Sequence, residues 1–261
     1  MHSSNVRYGL STDNNRASLF SNVKKLGFQG IELGIGLDYR KDALWLGDYT
    51  TCQTIKNEAQ MNDIEIASIC LHLLNYEENS PASGNFESRK VGRKIILNTI
   101  NTSALVNSPL ILVPFFGTAL LKSDSQKRIL VEEMKVLSKY AEANSVCLGL
   151  ETSLGAFELS EIIDSVGSDC VQAYYDIGNS ASKGYDLVQE IRTLNQRIVQ
   201  VHVKDFPSRT LGEGNIDLRK VIMTLKKFGY DDYLVLETPA LDDASEAAAR
   251  NLSYLENLVG Q

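Results

Sequence analysis

No stretch of about 18 consecutive apolar residues, the length needed to cross a bilayer, occurs in the 261-residue chain. The amino-terminal "MHSSNVRYGL" lacks the apolar core of a signal peptide. Together these predict a soluble, unprocessed, cytoplasmic protein without a membrane partner. Basic charge is not in excess either. Twenty-six Lys and Arg stand against 33 Asp and Glu, for a net charge of -7, and the balance argues against nucleic acid as a main partner, because phosphate neutralisation leaves a basic footprint. The chain has only four cysteines, without metal-finger or redox spacing. Three of them sit in apolar, strand-like runs where Cys acts as a small hydrophobe, which fits a reducing compartment. Proline is scarce, at five residues, and no Pro- or Gly-rich linker divides the sequence, so residues 1–261 read as one domain. Neither a G-x-G-x-x-G turn after the first strand nor a P-loop is present, which weakens the case for a doubly wound nucleotide-binding sheet.

What is present is an ordinary globular composition, 43% hydrophobic and 23% charged. Short β-rich runs alternate with amphipathic stretches at a spacing of roughly 30 residues, the size of one strand-plus-helix unit. The strand candidates are "VRYGLS" from Val6, "GIELG" from Gly30, "EIASICL" from Glu65, "LILVPF" from Leu110, "VCLGLET" from Val146, "VQAYYDIG" from Val171, "VQVHVKDF" from Val199 and "YLVLET" from Tyr233. Helical patterns include Ser18 to Leu26, Arg93 to Val106, Ser125 to Ala143, Asp186 to Leu194, Leu218 to Phe228 and Ala244 to Leu258. Several strands are continuous apolar runs, the mark of a parallel sheet covered by helices. Eight such units predict an α/β fold, a single (β/α)8 TIM barrel. The stretch from Asn75 to Glu87 is a candidate lid after the third strand.

In such a barrel, residues at the carboxyl ends of the strands converge on one mouth. Four successive strands end in potential ligands: Glu151 in "GLET", Asp176 in "YYDIGN", His202 in "VHVKDF" and Glu237 in "VLETP". Each has an ordinary structural reading by itself, as a salt-bridged strand end, a cap or a hydrogen-bonded imidazole. Four together, buried without a cation, would cost several kcal/mol in desolvation and repulsion. Three carboxylates and one imidazole form an oxygen-rich site suited to Mn²⁺, Mg²⁺ or Co²⁺ more than to structural zinc.

The ordered motifs "KKLGFQGIELG", "GLET", "DIGN", "VHVKDF", "LGEGNID" and "LVLET" span nearly the whole chain. In that order the sequence resembles the xylose-isomerase-like sugar isomerases and epimerases. Through "YYDIGNSASKGYD", "VHVKDF" and "SICLHL", it is most similar to 3-epimerases of the L-ribulose and L-xylulose 5-phosphate type. The resemblance implies one divalent ion, Mn²⁺ first and Mg²⁺, Co²⁺ or Zn²⁺ as alternatives, held by Glu151, Asp176, His202 and Glu237. It implies that Glu151 and Glu237 exchange a proton with a sugar or sugar phosphate through a metal-stabilised enediolate, and that the protein forms a dimer or tetramer.

Substrate-binding candidates follow from the same resemblance. Asn179 lies three residues after Asp176, where relatives carry a sugar-binding group, although an Asn beside Gly is also ordinary turn chemistry. His72 ends the third strand. Lys204 is expected to line the mouth, with Asp205 supporting it or capping the next loop. Arg209 and Glu158 are weaker candidates, because the spacing around each departs from the family pattern; a helix start, where an acid favours the dipole, suits Glu158 at least as well. The amides of "LGEGNID" could hold a phosphate ahead of an Asp217 helix cap. The basic run Arg89, Lys90, Arg93 and Lys94 reads mainly as a solvated helix face.

Three other functions compete. A metal-dependent dehydratase acting on a cyclic polyol ketone or dehydroshikimate would use the same ligands. An AP-endonuclease-like DNA enzyme would need more histidines than the three present, His2, His72 and His202. A non-catalytic sugar-binding barrel would have no need for both glutamates.

Overall fold

The computed structural model describes residues 7–12, 18–36, 47–239 and 243–260. His2 and Val6 lie outside the described residues. Eight strands form a closed, all-parallel barrel in chain order: β1 (Arg7–Thr12), β2 (Gly30–Gly34), β3 (Glu65–Cys70), β4 (Leu110–Phe115), β5 (Cys147–Thr152), β6 (Val171–Asp176), β7 (Ile198–Val203) and β8 (Tyr233–Leu236). Closure is made by β1, which pairs with both β2 and β8. The outer layer comprises α1 (Leu19–Leu26), α2 (Tyr49–Met61), α3 (Phe86–Val106), α4 (Asp124–Ala143), α5 (Ala156–Val166), α6 (Ile177–Ser182), α7 (Leu187–Leu194), α8 (Leu218–Lys227) and α9 (Ala244–Val259).

Apolar side chains on alternate strand positions divide the core in two. On β4, Ile111, Val113 and Phe115 belong to the large cluster under the helices, with Ile96 of α3 and Met134 of α4. The intervening Leu110 and Leu112 pack inside the barrel with Cys70 and Tyr174. Both faces of a barrel strand are therefore dry, which explains its unbroken apolar run. None of the four cysteines forms a disulfide.

Helix ends follow local capping chemistry. Helix α3 starts about two turns before Arg93, because Asn85 accepts from the amides of Glu87 and Ser88 and carries a polar first turn that apolar periodicity does not mark. A Ser123–Gln126 capping box starts α4, and Asp217 caps α8. Strand β6 ends at Asp176 rather than running on to Gly178, since Asp176 accepts from the amide of Asn179 and opens α6.

The lid candidate is a packed excursion. Residues His72–Asn75 and Glu77–Asn79 form 3-10 turns, and Asn79 donates to the Leu73 carbonyl at 2.9 Å. Asn75 accepts from the Phe116 amide at 3.0 Å, and Ser80, Ala82 and Ser83 are buried. The segment's polar side chains hold its own turns and the loop after β4. The basic run behind it is largely committed too: Arg93 forms a two-pronged ion pair with Glu133 of α4, at 2.8 and 2.7 Å, and Arg89 donates to the carbonyls of Ser83 and Gly84.

Truncating Ile111, which is fully buried, to Ala is expected to cost about 2–5 kcal/mol in urea unfolding. Met223→Ala, at a position 48% exposed, should change stability by no more than about 0.5 kcal/mol.

Candidate metal and active site

Side chains two residues apart share a strand face, so Gln200, His202 and Lys204 on and just after β7 point the same way, as do Tyr174 and Asp176 on β6. Asp176 and His202 are direct register partners. Glu151 near the end of β5 and Glu237 just past β8 complete the group. One potential ligand atom from each of Glu151, Asp176, His202 and Glu237 lies within 4.8 Å of all the others. His202 Nδ1 is 3.4 Å from Glu151, 3.8 Å from Asp176 and 3.6 Å from Glu237.

Asp176 serves two purposes with its two oxygens. Oδ1 accepts from the Asn179 amide at 2.7 Å, while Oδ2 faces the interior and lies 2.6 Å from Lys204 Nζ. Lys204 also pairs with Glu237. Its stem runs over Gly178, where a Cβ would sit 2.4 Å from Lys204 Cγ; the glycine of "DIGN" leaves room for the lysine of "VHVKDF".

Electrostatics inside the mouth are one-sided. Burial pushes Glu151 up to about 8, against the opposing pull of His202. Asp176 is also buried, yet His202 and Lys204 hold it well below the usual carboxylate range. Desolvation would lower His202, but Glu32 and then Glu237 drive it well above an ordinary histidine. Glu32, a further carboxylate beneath His202, is lowered to about 2: burial opposes ionisation and is outweighed by His202. Four carboxylates thus share one ammonium and one imidazole. A donor set of three carboxylates and an imidazole nitrogen, buried except for the half-buried Glu237, fits a hard divalent cation, which would relieve this excess.

The other candidates separate. Asn179 Nδ2 donates to Glu151 Oε1 at 3.2 Å, so it reaches the cluster. His72 begins the 3-10 turn after β3, half-buried, with Nδ1 3.5 Å from Cys70 Sγ. Arg209 is exposed. Glu158 lies in the first turn of α5, as its helix-start reading expects, and pairs with Lys127 of α4 at 2.5 Å.

Asp205 organises the loop after β7. Its carboxylate accepts from the amides of Phe206, Gly212, Gly214 and Ile216 at 2.8 to 3.2 Å. At Gly214 a Cβ would fall 2.1 Å from Asp205 Oδ1. Three amides of "LGEGNID", those of Gly212, Gly214 and Ile216, are thereby taken by an internal anion, not left for a phosphate.

Sequence reasoning did not single out Glu32. It lies mid-strand in "GIELG", and only barrel closure shows its partners, although an acid inside an otherwise apolar strand is itself a signal.

Residues 20–258 match the family model described as a xylose isomerase-like TIM barrel. The chain belongs to that family. It is 26% identical to an uncharacterised protein of Methanocaldococcus jannaschii, across 80% of this chain and 77% of that one. It is 21% identical to an inosose dehydratase of Clostridium perfringens, across 95% and 91%. A structure of L-ribulose 3-epimerase superposes with a TM-score of 0.83 at 18% identity, covering 98% of this chain and 95% of the other, a likeness of fold. No helix among the described residues is long and apolar enough to cross a membrane.

Asp205→Ala should raise amide hydrogen exchange at Phe206, Gly212, Gly214 and Ile216 by at least about tenfold, the loss of a charged acceptor being worth about 1.5–3 kcal/mol. Exchange in β4 should stay at the wild-type rate.

Proposed function

We propose that this protein is a divalent-metal-dependent sugar epimerase or isomerase, acting first on the carbon beside the carbonyl of a ketose. The reading is carried by one observation: two glutamates from strands three places apart in the barrel, Glu151 and Glu237, converge on the same imidazole nitrogen. Glu151, Asp176, His202 and Glu237 would hold the ion, with Mn²⁺ the first candidate. When bound, it would supply Lewis acidity to the substrate carbonyl and offset the negative charge that develops there.

Epimerisation needs a base on one face of the carbon and an acid on the other. One glutamate takes the proton as the C–H bond breaks and its electron pair moves toward the carbonyl. The opposite glutamate returns a proton as the pair comes back, inverting the centre with no net loss of atoms. Asn179, bonded to Glu151, is suited to fix that carboxylate and to meet a sugar hydroxyl. Lys204 supplies a positive charge at the mouth. The mouth excludes much of the surrounding water, with the Glu151 side chain 7% exposed and that of Glu237 33%.

Pentuloses of the L-ribulose and L-xylulose series, free or as 5-phosphates, are the first substrates to try. With the loop amides committed to Asp205, exposed Arg209 and half-buried His72 are the groups to examine for contact with the substrate's far end. Similarity to an inosose dehydratase supports a second reading, in which the same proton abstraction is followed by departure of a β-hydroxyl.

With Mn²⁺ added in deuterated water, NMR should show deuterium entering C3 of a ketose. Glu151→Gln or Glu237→Gln should each lower that rate by about 100- to 10,000-fold, the usual worth of a general acid or base. Exchange accompanied by loss of water from a cyclic ketone would replace the epimerase with the dehydratase. Retention of the full rate in either variant would remove that glutamate from the pair.

A further inference from the structure

Beneath the four-residue cluster lies a polar group closed on itself. Glu32 is fully buried in β2. Its Oε2 accepts from Ser68 Oγ at 2.6 Å and from Tyr174 OH at 2.7 Å. Gln200 Nε2 donates to both of those hydroxyl oxygens, at 2.9 and 2.8 Å. Each hydroxyl therefore accepts from the amide and must send its own proton to Glu32. The other carboxylate oxygen, Oε1, lies 2.9 Å from His202 Nε2, and an ionised carboxylate can only accept. The direction of every bond in the group is fixed, and it ends with a proton on His202 Nε2.

We infer that Glu32 is a positioning residue: through this chain it sets the tautomer and ring orientation of His202, so that unprotonated Nδ1 is turned toward Glu151, Asp176 and Glu237 as the site's nitrogen ligand. Tyr174 supports the orientation a second way, its ring centroid 4.5 Å from that of His202 and tilted by 59°. A carboxylate behind a ligating histidine commonly accounts for about 10- to 100-fold in metal affinity. This inference rests on the metal-dependent reading above.

Glu32→Gln is a specific test because the hydroxyls dictate how the amide must sit. Ser68 and Tyr174 both donate at the Oε2 position, so the glutamine oxygen belongs there and its NH₂ takes the Oε1 position. An NH₂ facing His202 Nε2 demands a lone pair on that nitrogen and moves the ring proton to Nδ1, the atom needed for ligation. Glu32→Asp keeps the acceptor chemistry and should preserve the tautomer.

The experiment combines Mn²⁺ titration by electron paramagnetic resonance with ¹⁵N NMR of the His202 ring in Mg²⁺-loaded protein, and urea unfolding of each metal-free variant as a check on the fold. Wild type should carry its ring proton on Nε2. Glu32→Gln should weaken Mn²⁺ binding by about 10- to 100-fold while still unfolding cooperatively, and Glu32→Asp should recover most of the loss. A wild-type ring protonated on Nδ1 overturns the inference even if Glu32→Gln does not fold. So does a folded Glu32→Gln that binds Mn²⁺ within about twofold of wild type. Failure of the wild-type protein to bind any divalent ion removes the metal reading and this inference together, an outcome distinct from the other two.

Discussion

An imidazole buried among carboxylates must be held from both sides. His202 meets Glu32 through Nε2 and faces Glu151, Asp176 and Glu237 through Nδ1, and no single strand could supply that company. Glu32 comes from β2, Glu151 from β5, Asp176 from β6 and Glu237 from the end of β8, so the arrangement exists only once the sheet has closed. The stability of the barrel comes from the apolar faces turned toward the helices. Its chemistry comes from a few polar positions on the inner face, spaced by the two-residue repeat of a strand.

The same repeat decided what could be read in advance. Glu151, Asp176 and Glu237 stand where an apolar run stops, and His202 stands near the end of another, so their convergence follows from the barrel rule alone. Strand order and number were equally legible, because each run is short, apolar and followed by a helix. Glu32 was hidden by its setting: it lies within "GIELG" rather than at its end, and Ser68, Tyr174 and Gln200 look like scattered polar residues until β2, β3, β6 and β7 surround one interior. Asp205 was placed near the site, but its grip on amides up to 11 residues ahead depends on the loop's path, which composition does not encode. Glu158 shows the opposite case, a carboxylate whose sequence neighbourhood already suited a helix start and which stands in the first turn of α5, paired with Lys127.

Lys204 ties these parts into one unit. It follows His202 by two residues, passes over Gly178 and pairs with Asp176 and Glu237, while its neighbour Asp205 carries the next loop. The strand and loop around "VHVKDF" therefore join a candidate metal ligand, a mouth cation and a loop anchor within four consecutive residues.

The unequal burial of the two glutamates has a consequence for the fate of an abstracted hydrogen. On the proposed reading, a proton on Glu151 sits behind Asn179 and His202 with little water in reach, whereas one on Glu237 borders solvent. A label taken up by the first would exchange with bulk water more slowly than one taken up by the second. The two stereochemical directions of one reaction would then differ in isotopic memory, with the site retaining the history of one face and erasing that of the other.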